Sequence, residues 1–352
     1  MIPGIDILED VALGPRTTLR LGGRAKHYLR AQDEASVTQA LRWARRVGLP
    51  VGILGGGSNL IVPDEGHAGL VVEMAQRGIE EDDQGDRVLV TAAAGEDWDL
   101  FVERCVAAGL AGLECLSGIP GRVGATPIQN VGAYGQEVSE TITSVRVLDR
   151  ESLRVSAMAP EDCGFAYRDS FFKQHPDRYV VLAVTFALTA GGAPAIRYAE
   201  LERALEGRAT PSLSDVRETV IALRRRKSMV LDFADENHRS AGSFFTNPIV
   251  PPEVAAEVVR RAVAEGIVAH EGEVPRWPAG DRVKLAAGWL IERAGMGKGT
   301  RHGNVGISTK HALALVHHGG GTTRELLELA ERVRAAVKDR FGVELHREPT
   351  LW

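Results

Sequence analysis

Two glycine-rich stretches carry the residue types best suited to holding a ligand. The shorter, Gly55-Gly56-Gly57-Ser58-Asn59, follows an apolar run at Val51–Leu54 and precedes another at Leu60–Val62. Successive backbone N–H groups in such a turn can form an anion-binding nest, so a phosphate cradle is one reading and a simple hairpin turn the other. No Gly-Lys-Ser/Thr follows, which excludes a P-loop, and no GxGxxG opens a helix, which leaves a Rossmann site unsupported. The longer stretch, Gly118–Val138, reads GIPGRVGATPIQNVGAYGQEV; five of its twenty-one residues are glycine, with Asn, Gln and Tyr between them and almost no charge. Glycine at this density suits a backbone that turns sharply and lies close to another surface. A surface loop would carry more Asp, Ser and Lys, and a flexible linker would not contain Ile119, Val123, Ile128 and Val131. An ordered, half-buried loop around something flat or polar, such as a cofactor, is the expectation.

Other chemistry-bearing side chains are ambiguous alone. Arg168 sits among aromatics in GFAYRDSFFK (164–173) and reads equally as the partner of a neighbouring Asp in a surface loop. The run Arg224-Arg225-Arg226-Lys227 closes a helical pattern, where basic side chains complement the helix dipole and are ordinarily solvated. Ser243, between Gly242 and Phe244, reads by itself as a turn or cap residue. Cys105 falls on an apolar helix face and reads as core.

The elements that must position these residues follow from periodicity. Strands are expected at Lys26–Arg30, Val51–Leu54, Leu70–Met74, Arg87–Ala93, Ser144–Leu148, Tyr179–Leu188, around Ala312–Val316 and at Val343–Leu345. Helices are expected at Ala35–Arg46, Asp99–Ala108, Asp215–Lys227 capped by Ser214, from Pro251, at Val283–Ala294 and at Thr323–Phe341. Three regions result: 1–62, 63–213 and 214–352. The 352 residues, 44% apolar and 25% charged, are enough for a full core without staples. A net charge of −5 gives no electrostatic case for nucleic acid or an anionic membrane surface. Three cysteines without a CxxC pair argue against a disulfide framework or a zinc site, and ten scattered histidines without HExxH leave no metal site expected. The most apolar run, Tyr179–Ala190, is too short to span a bilayer. The opening MIPGIDILED is acidic where a signal peptide would be basic, so a cytoplasmic protein is expected, with a monomer as the default.

Together the motifs resemble one family, the UDP-N-acetylenolpyruvoylglucosamine reductases of peptidoglycan precursor synthesis. The resemblance covers nearly the whole chain and rests on GGGSNL (55–60), GIPGRVGATPIQNVGAYG (118–135), YRDSFF (167–172), AGSFFTNP (241–248), KLAAGWLIE (284–292) and Glu348, in the family's order and spacing. YRDSFF, with Tyr198 in RYAEL, is similar to the family's longer form, which has an extra loop carrying a tyrosine over the substrate. Trp277 stands where some relatives have tyrosine.

The resemblance implies an α+β fold. Residues 1–62 and 63–213 would form a two-part FAD-binding module of the vanillyl-alcohol-oxidase type. Residues 214–352 would form a substrate domain whose final Glu348 returns to the flavin site. It implies FAD held by Gly55, Gly56, Gly57, Ser58 and Asn59 at the pyrophosphate. Gly118, Gly121, Gly124, Gln129, Asn130, Gly132 and Ala133 would line the rest. It implies NADPH as hydride donor and UDP-N-acetylglucosamine enolpyruvate as the substrate reduced. Hydride addition to an enol ether leaves enolate-like charge shared with the carboxylate, which calls for a fixed cation and a proton donor. Arg168 matches the cation and Ser243 the donor. Glu348, if held near the carboxylate, would be protonated or share a proton, because two bare carboxylates repel. Tyr167, Tyr198, Lys227, Asn247 and Lys284 match substrate contacts, Lys227 with the diphosphate. An oxidase on the same fold would not need Ser243. A non-catalytic flavin or UDP-sugar binder would lack one of Arg168, Ser243 and Glu348, and all three are present.

Overall fold

In the computed structural model, which describes residues 6–352, the chain divides into two compact units that interleave along the sequence. The first comprises the residues up to Ala12, Arg24–Gly57 and Gly66–Leu231; the second comprises Leu13–Gly23, Ser58–Glu65 and Asp232–Trp352. One crossing point falls between Gly57 and Ser58, inside the short glycine turn.

The first unit holds two sheets. In the smaller, the strand order is Leu8–Ala12, Arg24–Ala31, His67–Met74, Val51–Leu54, with the first pair antiparallel and the rest parallel. The Glu34–Val47 helix covers it, burying Val37, Ala40, Leu41 and Ala44 on Leu29, Leu70, Val72 and Met74. That helix is bounded by local chemistry. Asp33 accepts from the Ser36 N–H at 2.7 Å in a capping box, and Gly48 closes it in the left-handed region at φ 70°. The larger sheet is antiparallel, in the order Val155–Met158, Ile142–Asp149, Tyr179–Ala190, Arg87–Ala93, Ile79–Asp83. The Trp98–Ala107 helix packs on it through a ring cluster of Trp98, Phe101 and Phe186, with centroids 5.3–5.9 Å apart. The Leu213–Arg226 helix starts earlier than its pattern predicted. Ser212, not Ser214, is the cap, because Ser212 and Asp215 form a reciprocal capping box.

The second unit packs three helices, Pro252–Ala264, Ala287–Arg293 and Thr323–Phe341, with short strands around one core that includes Phe244, Phe245, Leu290, Val333 and Phe341. The helix expected at Val283–Ala294 is instead a strand, Arg282–Leu285, followed by the Ala287–Arg293 helix. Val283 and Lys284 pair with Ile249–Val250 on one side and Trp277–Pro278 on the other. Pairing on both edges outweighs a local helical pattern. No strand forms at Val343–Leu345. Gly342 ends the long helix at φ 70°, and Val343 and Leu345 enter the core as single residues. The closing strand is Thr350–Leu351, parallel to Leu60–Ile61. Among the described residues no helix is long and apolar enough to cross a membrane, and no group of His, Cys, Asp or Glu is arranged to hold a metal.

Candidate functional site

In the first unit the two glycine stretches meet backbone to backbone. A Cβ on Gly56 would lie 2.8 Å from the Gly121 Cα, so the loops come this close because Gly56 has no side chain. The long loop is ordered by hydrogen bonds to the 94–99 segment. Val123 N–H donates to the Glu96 carbonyl at 2.9 Å and Gly124 N–H to that of Ala94 at 3.0 Å. A Cβ on Gly124 would come within 2.5 Å of the Ala94 side chain. Gly118 N–H donates to the Asp99 carboxylate at 2.6 Å, and Arg217 grips the same carboxylate with both terminal nitrogens. Asn130 is buried and its side chain is engaged within the loop, donating to Glu137 and the Ala166 carbonyl and accepting from Ser139 N–H. Gly132 and Ala133 pair with Gln136 and Glu137 in a tight hairpin.

Beside that hairpin lies a cluster of cations and tyrosines. Arg168 donates from Nη2 to the Gly132 carbonyl, and its guanidinium carbon lies 5.3 Å from the Tyr167 ring centroid. Lys173 Nζ donates to the Arg168 carbonyl at 2.7 Å. Tyr134 meets Tyr198 edge to face at 5.6 Å, and Lys227 Nζ sits 5.9 Å from the Tyr134 ring centroid. Lys227 is paired with Glu200 at 2.5 Å. Burial pushes the Tyr134 hydroxyl up to about 12, so it stays protonated. Asn130, Tyr134, Arg168 and Ser228 are four of the seven non-glycine residues at positive φ among the described residues. Such conformations cost roughly 1–3 kcal/mol each and gather where a site over-determines them.

In the second unit another group of matched residues is zipped together. Ser243 follows Gly242, which is at φ 73°, and precedes the buried Phe244 and Phe245. Glu348 N–H donates to the Phe244 carbonyl at 2.9 Å, and Thr246 N–H to that of His346 at 3.1 Å, so the Ser243 and Glu348 segments run antiparallel. Asn59 Nδ2 reaches the Glu348 carbonyl at 3.4 Å, and Thr350 N–H donates to the Asn59 carbonyl at 3.0 Å. Asn59 and the segments that carry Ser243 and Glu348 are thereby tied together within this unit. Asn247 Oδ1 accepts the Ala287 N–H at 2.9 Å and so satisfies the first N–H of the Ala287–Arg293 helix. Lys284, on its strand, stands directly opposite Trp277.

Residues 25–156 match the model of an FAD-binding domain, and residues 234–352 match that of the UDP-N-acetylenolpyruvoylglucosamine reductase C-terminal domain. The chain is 51% identical over 349 residues to the UDP-N-acetylenolpyruvoylglucosamine reductase of Thermobifida fusca, covering 97% of both. It belongs to the UDP-N-acetylenolpyruvoylglucosamine reductase family. The Mycobacterium tuberculosis reductase is 46% identical over 368 residues, covering all of this chain and 96% of that one. The crystal structure of the Thermus caldophilus reductase aligns over 99% of both chains with a TM-score of 0.66 at 25% identity. The chain is an FAD-dependent oxidoreductase of α+β fold.

The donor set of the first unit fits the flavin dinucleotide expected of this reductase family. Residues 55–59 carry no charge, and 118–135 carry one charged side chain, Arg122. A diphosphate would therefore meet backbone donors and one cation from these loops, Arg122, whose Nη1 lies 3.7 Å from the Asp97 carboxylate. Arg122 lies beside Gly55, whose own Cβ position has only ordinary contacts at 3.8 Å. Gly55, Gly56 and Gly57 with Gly118–Ala133 would hold the cofactor from the first unit. Two residues of this cluster escaped sequence reading. Tyr134 was legible only as filler between Gly132 and Gly135. Arg224, in a run read as a solvated helix end, is buried at 8% exposure. It donates from Nη2 to the Met229 carbonyl at 2.6 Å, and burial pulls its pKa down to about 10.

Proposed function

We propose that the chain reduces UDP-N-acetylglucosamine enolpyruvate to UDP-N-acetylmuramate, with NADPH as electron donor, in peptidoglycan precursor synthesis. The observation that carries this is Arg168, a permanent cation at φ 55° whose fork donates to the Gly132 carbonyl of the glycine hairpin. It is thereby fixed at the cofactor loop. A planar guanidinium suits a carboxylate, and the charge it stabilises is the one that develops there as the double bond is reduced. Bound FAD supplies the two-electron chemistry between donor and substrate. Ser243 Oγ gives the proton to the carbon beside the carboxylate. The zipper between residues 244–246 and 346–348 sets the Glu348 segment beside that serine's segment. Lys227 takes the diphosphate, while Tyr167 and Tyr198 flank the substrate. Asn247 and Lys284 are further substrate contacts in this reading.

Anaerobic stopped-flow on wild type and Ser243→Ala, following flavin absorbance, tests this. NADPH is expected to bleach the flavin in both proteins. The enolpyruvyl sugar nucleotide then restores colour quickly in wild type and about 10²–10⁴-fold more slowly in the variant, the range for loss of a general acid. Fast recolouring in the variant moves the proton donor elsewhere. No recolouring in wild type removes the proposal.

A further inference from the structure

Lys227 is engaged before any substrate arrives. Its ammonium is 2.5 Å from the Glu200 carboxylate, with both side chains about one-third exposed. Glu200 lies in the first turn of a short helix, Ala199–Ala204, whose N-cap is Tyr198, and Tyr198 lies edge-on to Tyr134, whose ring centroid is 5.9 Å from the same ammonium. The carboxylate therefore does for Lys227 what a phosphate oxygen would do. It offers a two-oxygen anion at hydrogen-bond distance, and it is attached to the segment that carries Tyr198.

From this we propose that Glu200 is a built-in competitor for the substrate diphosphate. It occupies Lys227 in the free protein, sets how tightly the UDP moiety binds, and is displaced when that moiety docks. The inference rests on Lys227 as the diphosphate contact. It follows from charge: a diphosphate entering beside Glu200 adds negative charge next to a carboxylate, and the Lys227 ammonium is already paired with that carboxylate. Removing the carboxylate while keeping its shape frees Lys227 and deletes the repulsion. The helix itself gains little from this pair, whose side chains are about one-third exposed and screened by solvent.

The test is calorimetric titration of the FAD-loaded full chain with UDP alone, in wild type, Glu200→Gln, Lys227→Met and the double variant. Glu200→Gln is expected to tighten UDP binding about two- to fivefold, the range for releasing a partly exposed ion pair. Lys227→Met is expected to weaken it about tenfold, as for a lost charge-assisted hydrogen bond. In the Lys227→Met background the Glu200→Gln change should tighten binding less, because there is no ammonium left to free. If Lys227→Met weakens UDP binding and Glu200→Gln leaves it unchanged or weaker, Glu200 positions Lys227 instead of competing for it, and the inference is overturned. If Lys227→Met has no effect, the diphosphate assignment fails and the inference with it. Melting temperatures of all four proteins separate these outcomes from misfolding.

Discussion

At Arg168 the backbone is held where non-glycine residues rarely sit, and the side chain is tied to a glycine carbonyl. A residue under such constraint delivers its charge to one place, which would suit the proposed stabilisation of charge developing beside a carboxylate. Arg168→Lys keeps the charge but loses the planar fork. It is expected to lower kcat about 10²–10³-fold, the typical cost of one such donor, while the flavin content of the purified protein stays near wild type. Steady-state kinetics beside the flavin-to-protein absorbance ratio checks both. The thiols show the opposite use of burial. Cys105, Cys115 and Cys163 are buried, and burial pushes each from 9.0 up to about 12. The folded state thus keeps protons that the unfolded state releases. The resulting stability is complete below about pH 9 and is lost as pH rises toward 12. The denaturation midpoint is expected to fall over that window, and less steeply in Cys105→Ala. At neutral pH iodoacetamide should label none of the three until the protein is unfolded.

Among the elements, the contact between the two glycine loops admits no side chain at Gly56 without a shift. Gly48 and Gly56 separate two reasons for glycine. Gly48 sits at φ 70° with nothing within 4 Å of its Cβ position, so only backbone conformation demands it. Gly48→Ala is expected to cost about 1–2 kcal/mol of stability without loss of flavin. Gly56→Ala would drive a methyl against the Gly121 backbone at 2.8 Å and force the two loops apart. It is expected to purify with little flavin and to need a much higher FAD concentration for reconstitution. Fluorescence titration of the apoprotein with FAD distinguishes them, and equal FAD affinity in both variants would contradict the cradle. The Asp99 carboxylate explains why the long loop holds its shape. It joins the Gly118 N–H to Arg217 of the Leu213–Arg226 helix, so the loop entrance and the helix leading to Lys227 share one anchor.

For the whole molecule, the chain passes between its two units several times, and each unit has its own core. Binding FAD to the folded state adds stability by mass action, about 2.7 kcal/mol at a hundredfold excess over Kd. Saturating FAD is therefore expected to raise the melting temperature of the apoprotein in a differential scanning experiment, and to raise that of the Gly56→Ala apoprotein much less. An equal rise in both would place the cofactor away from the Gly56–Gly121 contact.

Much of this was legible in the residues because it is local. The helical pattern over Ala35–Arg46, the glycine that follows it at 48 and the dense glycines of 118–138 encode their conformations within a few positions. The motifs around Gly55, Arg168, Ser243 and Glu348 carry the family resemblance for the same reason. What the tertiary structure decided depends on partners far away in sequence. Lys284 lies on a strand because Ile249 and Trp277 flank it. Arg224 is buried beneath a run that reads as solvated. Asn130 spends its amide on Glu137 and Ala166, and Lys227 finds Glu200 across twenty-seven positions. Periodicity reports which face of an element is apolar. It does not report which polar group stands opposite, because burial and charge pairing are settled only when separate segments pack.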